Sequence, residues 1–167
     1  MNKKSRLLAY GALIAAMYAA LTHLQNIILP GSATWAIQCR VSEALCILAL
    51  FTPAAIPGLT IGCLLFNITY AAALPLDFLV GSFATLLAVF GMYLTRGITV
   101  KGYPVLGVLL PVLTNAVLVG WELSVYIGGG FWINAAYVAI GEAAVMVSLG
   151  SLLYYTVKAR GLNKRLF

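Results

Sequence analysis

Apolar residues run almost unbroken along this chain, and the few polar breaks divide it into six segments. The first extends from about Leu7 to Leu29 and ends at Pro30-Gly31. A loop of small and polar residues carrying Trp35 leads to Arg40. The second segment is brief, about Val41 to Phe51, and stops at "FTPAAIPG", where Pro53 and Pro57 bracket a tight reversal. The third covers about Leu59 to Ala73, and Pro75 opens the fourth, about Leu76 to Thr95. "RGITVKG" is the one polar interior loop. The fifth spans about Pro104 to Val125, Gly128 to Gly130 form a flexible turn, and the sixth runs from about Phe131 to Val157. A membrane-crossing helix takes about 20 apolar residues, so the pattern predicts six transmembrane helices in a single domain over 1–167. Segments two and three are short for a hydrocarbon core of about 30 Å, which predicts tilt or a cavity mouth.

Composition strengthens this reading. Hydrophobic residues make up 63% of the 167 and charged ones 8%, where soluble chains carry about 25% charged residues. Mean hydropathy is +1.02. An all-α integral membrane protein follows, with little chain left for a soluble ATPase, receptor or nuclease domain. The first apolar run lacks a small-residue cleavage site and reads as a helix, not a signal peptide.

The net charge of +6 concerns topology. Lys3, Lys4 and Arg6 lie near the start, Arg96 and Lys101 in the polar loop, and Lys158, Arg160, Lys164 and Arg165 near the end. Six spans put both termini on one side. With the termini and the polar loop in the cytoplasm, nine of the ten basic residues are inside, Arg40 being the tenth. Both termini are therefore expected to be cytoplasmic. Such a distribution is no nucleic-acid footprint; the expected surroundings are membrane lipid.

That topology sorts the acids. Glu43 and Asp77 begin their segments from the outside, and Glu122 ends its segment there. Glu142 lies about eleven residues into the sixth, roughly 16 Å down at 1.5 Å per residue. Ionisable groups in such a setting are costly and are functional candidates. Asn115 and Glu122, two turns apart, share a helix face, and Asn134 and Glu142 are about 80° out of line. Asn67 lies in the third segment, while Trp35, Trp121, Trp132 and Tyr126 fall in or beside the outer loops. Carboxylates, amides and flat rings under an outer mouth describe a pocket for a small planar ligand with hydrogen-bond donors. Arg40 and Glu43, three apart at a helix start, read either as an ion pair capping that terminus or as a gate-ordering pair at the lip that touches the ligand. His23 reads as a helix–helix hydrogen-bonder, and Cys39, Cys46 and Cys63 as small hydrophobes without zinc spacing.

A second surface lies on the first segment. Gly11, Ala15 and Ala19, and beside them Ala12, Ala16 and Ala20, form small-xxx-small rows that admit another helix at close range. Internal packing and an external partner are both open uses of these rows. No GxxxxGK[ST] loop, HExxH pair or GxSxG elbow occurs, so neither ATP hydrolysis nor other enzymatic chemistry is expected, and no metal or cofactor. The same acids, with His23, could instead relay protons in a self-sufficient transporter or channel. A scaffold using only its Ala/Gly faces would bind nothing small.

"IQCRVSEALCILALFTPAAIPGLTIGCLLFN" (37–67) and "LDFLVGSFATLLA" (76–88) resemble the queuosine-precursor transporter family. The likeness continues more weakly through "NAVLVGWEL" and "GEA". The resemblance implies a substrate-binding S component of an energy-coupling factor (ECF) transporter: a six-helix bundle in the bacterial plasma membrane with an outward-facing pocket. It further implies a transmembrane coupling subunit docking on the small-residue rows, and two ATPase subunits driving a toppling that delivers the ligand. The implied ligand is a 7-deazaguanine, a queuosine precursor or queuine. A carboxylate would accept its N1–H and exocyclic amine, an aminomethyl arm would engage a second carboxylate, and the ring would stack on Trp or Tyr.

Overall fold

A computed structural model describes residues 2–33, 37–70 and 73–161. Trp35, Lys164 and Arg165 lie outside the described residues. The chain forms α1 (Lys3–Ile28), a 3₁₀ helix (Val41–Leu50), α2 (Ala55–Thr69), α3 (Asp77–Thr95), α4 (Val105–Tyr126) and α5 (Phe131–Val145). A π-helical turn (Met146–Gly150) joins α5 to α6 (Ser151–Ala159), making Phe131–Ala159 one continuous rod. Four helices are long and apolar enough to cross a membrane: α1, α3, α4 and this rod. The 3₁₀ helix and α2 are shorter apolar helices.

Two boundaries differ from the sequence pattern for definite reasons. The third segment begins at Ala55, four residues before Leu59. Pro57 is the third residue of α2, in the first turn, where the missing N–H has no intrahelical partner to lose and the fixed φ suits a helix. The second segment is 3₁₀-helical over ten residues, although such runs rarely exceed four. Rising about 2.0 Å per residue, it covers about 20 Å of depth, where an α-helix would cover 15 Å. It touches every other helix and buries Ser42–Ile47, Ala49 and Leu50. It is the central strut of the bundle.

Around the strut, α1 packs on α2, α2 on α3, α3 on α4 and α4 on α5. Ile14, Tyr18, Ile47, Leu50, Leu59, Val89, Met92, Val112 and Met146 belong to one core cluster. Outward-facing Leu13, Ile61, Phe83, Leu87, Phe90, Leu113, Val117 and Ile140 leave an apolar exterior. In lipid such a surface gains nothing by burial, so association rests on close packing. Gly62 provides it between α1 and α2: a β-carbon there would stand 2.7 Å from Tyr18 Cβ and 2.8 Å from Ala15 O. Gly120 does the same between α4 and α5, 2.7 Å from Ala135 Cα. The polarity is inverted relative to a soluble protein. All four acids of the chain are buried.

A buried acidic cluster as candidate binding site

The cluster is built from a polar stripe on α1. Tyr18, Thr22, Gln25 and Asn26 face inward and are buried. Gln25 Nε2 donates to Ser32 Oγ at 2.9 Å and to Cys39 O at 2.6 Å. Its Oε1 accepts the Val41 N–H at 2.8 Å, so it satisfies a free donor at the start of the 3₁₀ helix. Thr22 Oγ1 donates to Ser42 Oγ at 2.6 Å. The entry of the strut is thereby fixed against α1. On its other side Gln38 lies directly on Gly141 of α5, so close that a β-carbon at 141 would stand 2.2 Å from Gln38 O. The strand-like approach to the strut thus passes over the helix that carries Glu142.

Three residues per turn put positions three apart on one row, so Arg40, Glu43 and Cys46 succeed one another down one face of the strut, about 6 Å per turn. Arg40 is buried. Its Nε donates to Ala33 O at 2.8 Å and its Nη1 to Cys63 Sγ at 3.7 Å, and its Nη2 lies 4.0 Å from Asp77 Oδ1. The guanidinium sits 5.5 Å from the Phe66 ring centre, and Phe66 in turn stacks on Tyr70. Asp77 opens α3, accepts the Leu74 N–H on Oδ2 at 3.2 Å, and its backbone carbonyl accepts from Asn67 Nδ2 at 2.8 Å. Gly81 leaves room for that amide. Asp77 and Arg40 are the charged neighbours of Glu122, which projects inward from α4 with 0% exposure.

One turn below Arg40, Glu43 takes different partners. Tyr18 Oη donates to its Oε1 and Cys46 Sγ to its Oε2, the latter at 3.1 Å. Glu142, from α5, has both Glu43 and Arg40 among its charged surroundings. Arg40 and Glu43 therefore do not form a salt bridge with each other. Arg40 turns toward Asp77, and Glu43 toward α1.

Several buried polar atoms here have no hydrogen-bond partner: both carboxylate oxygens of Glu122, Glu142 Oε2, Asp77 Oδ1, Arg40 Nη2, Asn67 Oδ1 and Asn115 Nδ2. An unmade hydrogen bond to a buried group costs about 1–3 kcal/mol, more for a charged one. Most of these atoms are acceptors, and the neighbouring carboxyls of Glu122 and Asp77 suit a ligand rich in donors.

The structure thus buries all of Arg40, Glu43, Asn67, Asp77, Asn115, Glu122 and Glu142, and brings Arg40, Asn67, Asp77 and Glu122 together; Asn115 lies two turns, about 10 Å, from Glu122 along α4. Asn134 is buried too, but its Nδ2 donates to Gly128 O at 2.7 Å and secures the glycine turn. Trp121, Tyr126 and Trp132 lie on the exterior, Trp132 at 82% exposure, and add no ring to the cluster. Among the described residues, the aromatic groups beside the charges include Phe66 and Tyr18. His23 pairs with Thr69 Oγ1 at 2.9 Å, linking α1 to α2. The sequence reading missed Tyr18, Thr22, Gln25 and Ser42; the four-residue spacing of Tyr18, Thr22 and Asn26 in an otherwise apolar segment was the available signal.

The two small-residue rows of α1 separate. Gly11 and Ala15 are buried against α2, with Ala19 half-buried, whereas Ala12, Ala16 and Ala20 are exposed. A groove of about 400 Å³ runs along this side, lined by residues that include Leu8, Ala12, Ala16, Pro57, Ile61 and Leu65.

The family model described as QueT transporter matches residues 8–159. No curated protein and no solved structure matches the chain. A match over nearly the whole helical bundle, including every residue of the acidic cluster, assigns the family: the chain belongs to the QueT transporter family.

Proposed function

We propose that this transporter-family chain is the substrate-binding S component of an ECF transporter and captures a 7-deazaguanine at the acidic cluster. The observation that carries the reading is Glu122: wholly buried, with no N–H or O–H donor on either carboxylate oxygen and the Asp77 carboxyl beside it. The guanine-type edge of a 7-deazaguanine presents two adjacent N–H donors, which one carboxylate accepts side by side in charge-assisted bonds. Asp77 and Asn67 offer further hydrogen-bonding groups beside it, Asn115 lies two turns deeper on the same helix, and Phe66 is the ring beside Arg40. The site is closed from bulk solvent, so binding requires local opening.

In this reading all six apolar segments form the membrane-embedded bundle of a plasma-membrane protein. The end bearing Lys3, Lys4, Arg96, Lys101 and Lys158 faces the cytoplasm, in accord with the positive-inside rule. Exposed Ala12, Ala16 and Ala20 beside the groove form the docking face for a transmembrane coupling subunit, which two ATPase subunits energise. The purified chain alone should bind a 7-deazaguanine yet fail to accumulate it in liposomes. Accumulation driven by a proton gradient, without partners, would instead identify a self-sufficient transporter.

A further inference from the structure

Two rows of α1 shape the groove between α1 and α2. Lys3, Leu7, Gly11 and Ala15 follow one another at four-residue steps, and so do Lys4, Leu8, Ala12 and Ala16. Positions four apart lie one above the other on a helix face, so a lysine heads each row that lines the groove. The two helices run parallel, because Gly58 meets Gly11 and Gly62 meets Ala15. Their N-termini therefore share one end. Contact between them is backbone to backbone: a β-carbon at Gly58 would stand 2.7 Å from Gly11 O. Beside it Ala12 and Ala16 reach out by one methyl group each, and about 400 Å³ stays open next to Ile61 and Leu65, both of which face outward.

Length and charge say what fits there. Leu7 to Ala16 is nine steps of helix, about 14 Å at 1.5 Å per residue, and half of a hydrocarbon core of about 30 Å is about 15 Å. The groove is thus as long as one leaflet is deep, and its lining residues are all apolar. An unfilled gap beside lipid forfeits dispersion contacts that a hydrocarbon chain would restore. At the foot of the groove neither α1 nor α2 has an acid in its first turn, and all four acids of the chain are buried elsewhere. Lys3 and Lys4 are exposed there.

We propose that one tail of an anionic phospholipid occupies this groove, with Lys3 and Lys4 on its phosphate headgroup. A lysine near a membrane surface attracts anionic lipid in any case. Two of them on the helix face that continues into a tail-length groove bind one such lipid at a fixed place. The lipid site stands whichever ligand the acidic cluster holds. It also flanks exposed Ala12 and Ala16, so a helix docking on that face displaces the tail.

The test is native mass spectrometry of the purified full chain in detergent, titrated with dimyristoyl phosphatidylglycerol and with phosphatidylcholine of the same tails. Wild type should retain one phosphatidylglycerol, preferred about tenfold or more over phosphatidylcholine. Lys3→Gln/Lys4→Gln should bring the two lipids within about twofold of each other. Lys101→Gln/Lys158→Gln, which removes the same charge elsewhere, should leave the preference intact. Ala12→Phe should fill the groove and weaken phosphatidylglycerol about tenfold, with thermal unfolding showing that the variant is folded. If it does not fold, dihexanoyl phosphatidylglycerol takes its place, and the shorter tails should bind wild type about tenfold more weakly or worse. No preference in wild type, or equal loss from either lysine pair, would overturn the proposal, since charge at the surface would then act without a site. Unchanged binding by folded Ala12→Phe, or equal affinity for the short-tailed lipid, would overturn it too, because no tail would lie in the groove. A lipid-free dimer as the main species would assign the groove to a second copy of the chain instead.

Discussion

Gly141 is where one methyl group should disturb both stability and binding. An alanine β-carbon there would stand 2.2 Å from Gln38 O, 2.8 Å from Gln38 C and 3.2 Å from Gln38 N. All three are backbone atoms, so no side-chain rotation relieves the clash. Carbon contacts are comfortable near 3.5–4.0 Å, so the segment entering the strut must retreat by about 1 Å or more. Overpacking of this kind costs about 1–3 kcal/mol. For a chain of this size, about 2–4 °C in Tm accompanies each kcal/mol, so Gly141→Ala should unfold about 2–12 °C earlier in detergent. Arg40 follows Gln38 by two residues, and its bond to Ala33 O and its approach to Asp77 depend on that segment. Affinity for ligand should therefore fall as well. Gly97→Ala is the control, since a β-carbon there meets nothing within 4 Å. Gly141→Ala matching Gly97→Ala in both Tm and ligand affinity would refute the close contact and its link to Arg40.

Three further outcomes follow from the same contacts. Tyr18→Phe removes the hydroxyl donated to buried Glu43, and should cost about 1–3 kcal/mol in unfolding measurements; an unchanged Tm would show that Glu43 does not depend on α1. Ala16→Trp fills an exposed position beside the α1–α2 groove, so it should abolish uptake with the coupling complex while calorimetry on the isolated chain shows unchanged ligand affinity. A parallel fall in binding would place Ala16 in the internal packing. Lys101→Cys should react with an impermeant thiol reagent only from the cytoplasmic side and Trp132→Cys only from outside, and the reverse pattern would invert the proposed topology.

Much of the helical frame was legible because breaks in an apolar chain are conspicuous. Asp77–Thr95, Val105–Tyr126 and the Phe131 start lie within a residue of their expected bounds. The strut was not legible as a 3₁₀ helix. Nearly all of Val41–Leu50 is buried, so no alternation of faces distinguishes three residues per turn from 3.6. That difference matters for the site, since it puts Glu43 directly beneath Arg40 and turns their expected pairing into two separate sets of contacts. The buried acids could be picked out from cost alone, because charge in hydrocarbon needs a reason. The positions of Trp121 and Trp132 could not, because an aromatic ring near a helix end suits a pocket and a lipid interface equally well. The α1 stripe went unnoticed because Tyr, Thr and Gln are individually unremarkable in a membrane helix, and their importance comes from what the strut places opposite them.

Glu122→Gln tests the central claim most directly. The substitution keeps the shape of the side chain but replaces an acceptor oxygen by a donor NH₂, opposing a ligand edge that itself donates. Hydrogen bonds to charged groups are worth about 1.5–3 kcal/mol, or roughly tenfold to 150-fold in Kd. Titration calorimetry of the purified chain with 7-deazaguanines should therefore show saturable one-to-one binding by wild type and a loss in that range for Glu122→Gln, with thermal unfolding confirming that the variant is folded. Affinity within about twofold of wild type for every 7-deazaguanine would mean that the buried Glu122 carboxylate does not hold the ligand, and would contradict the account.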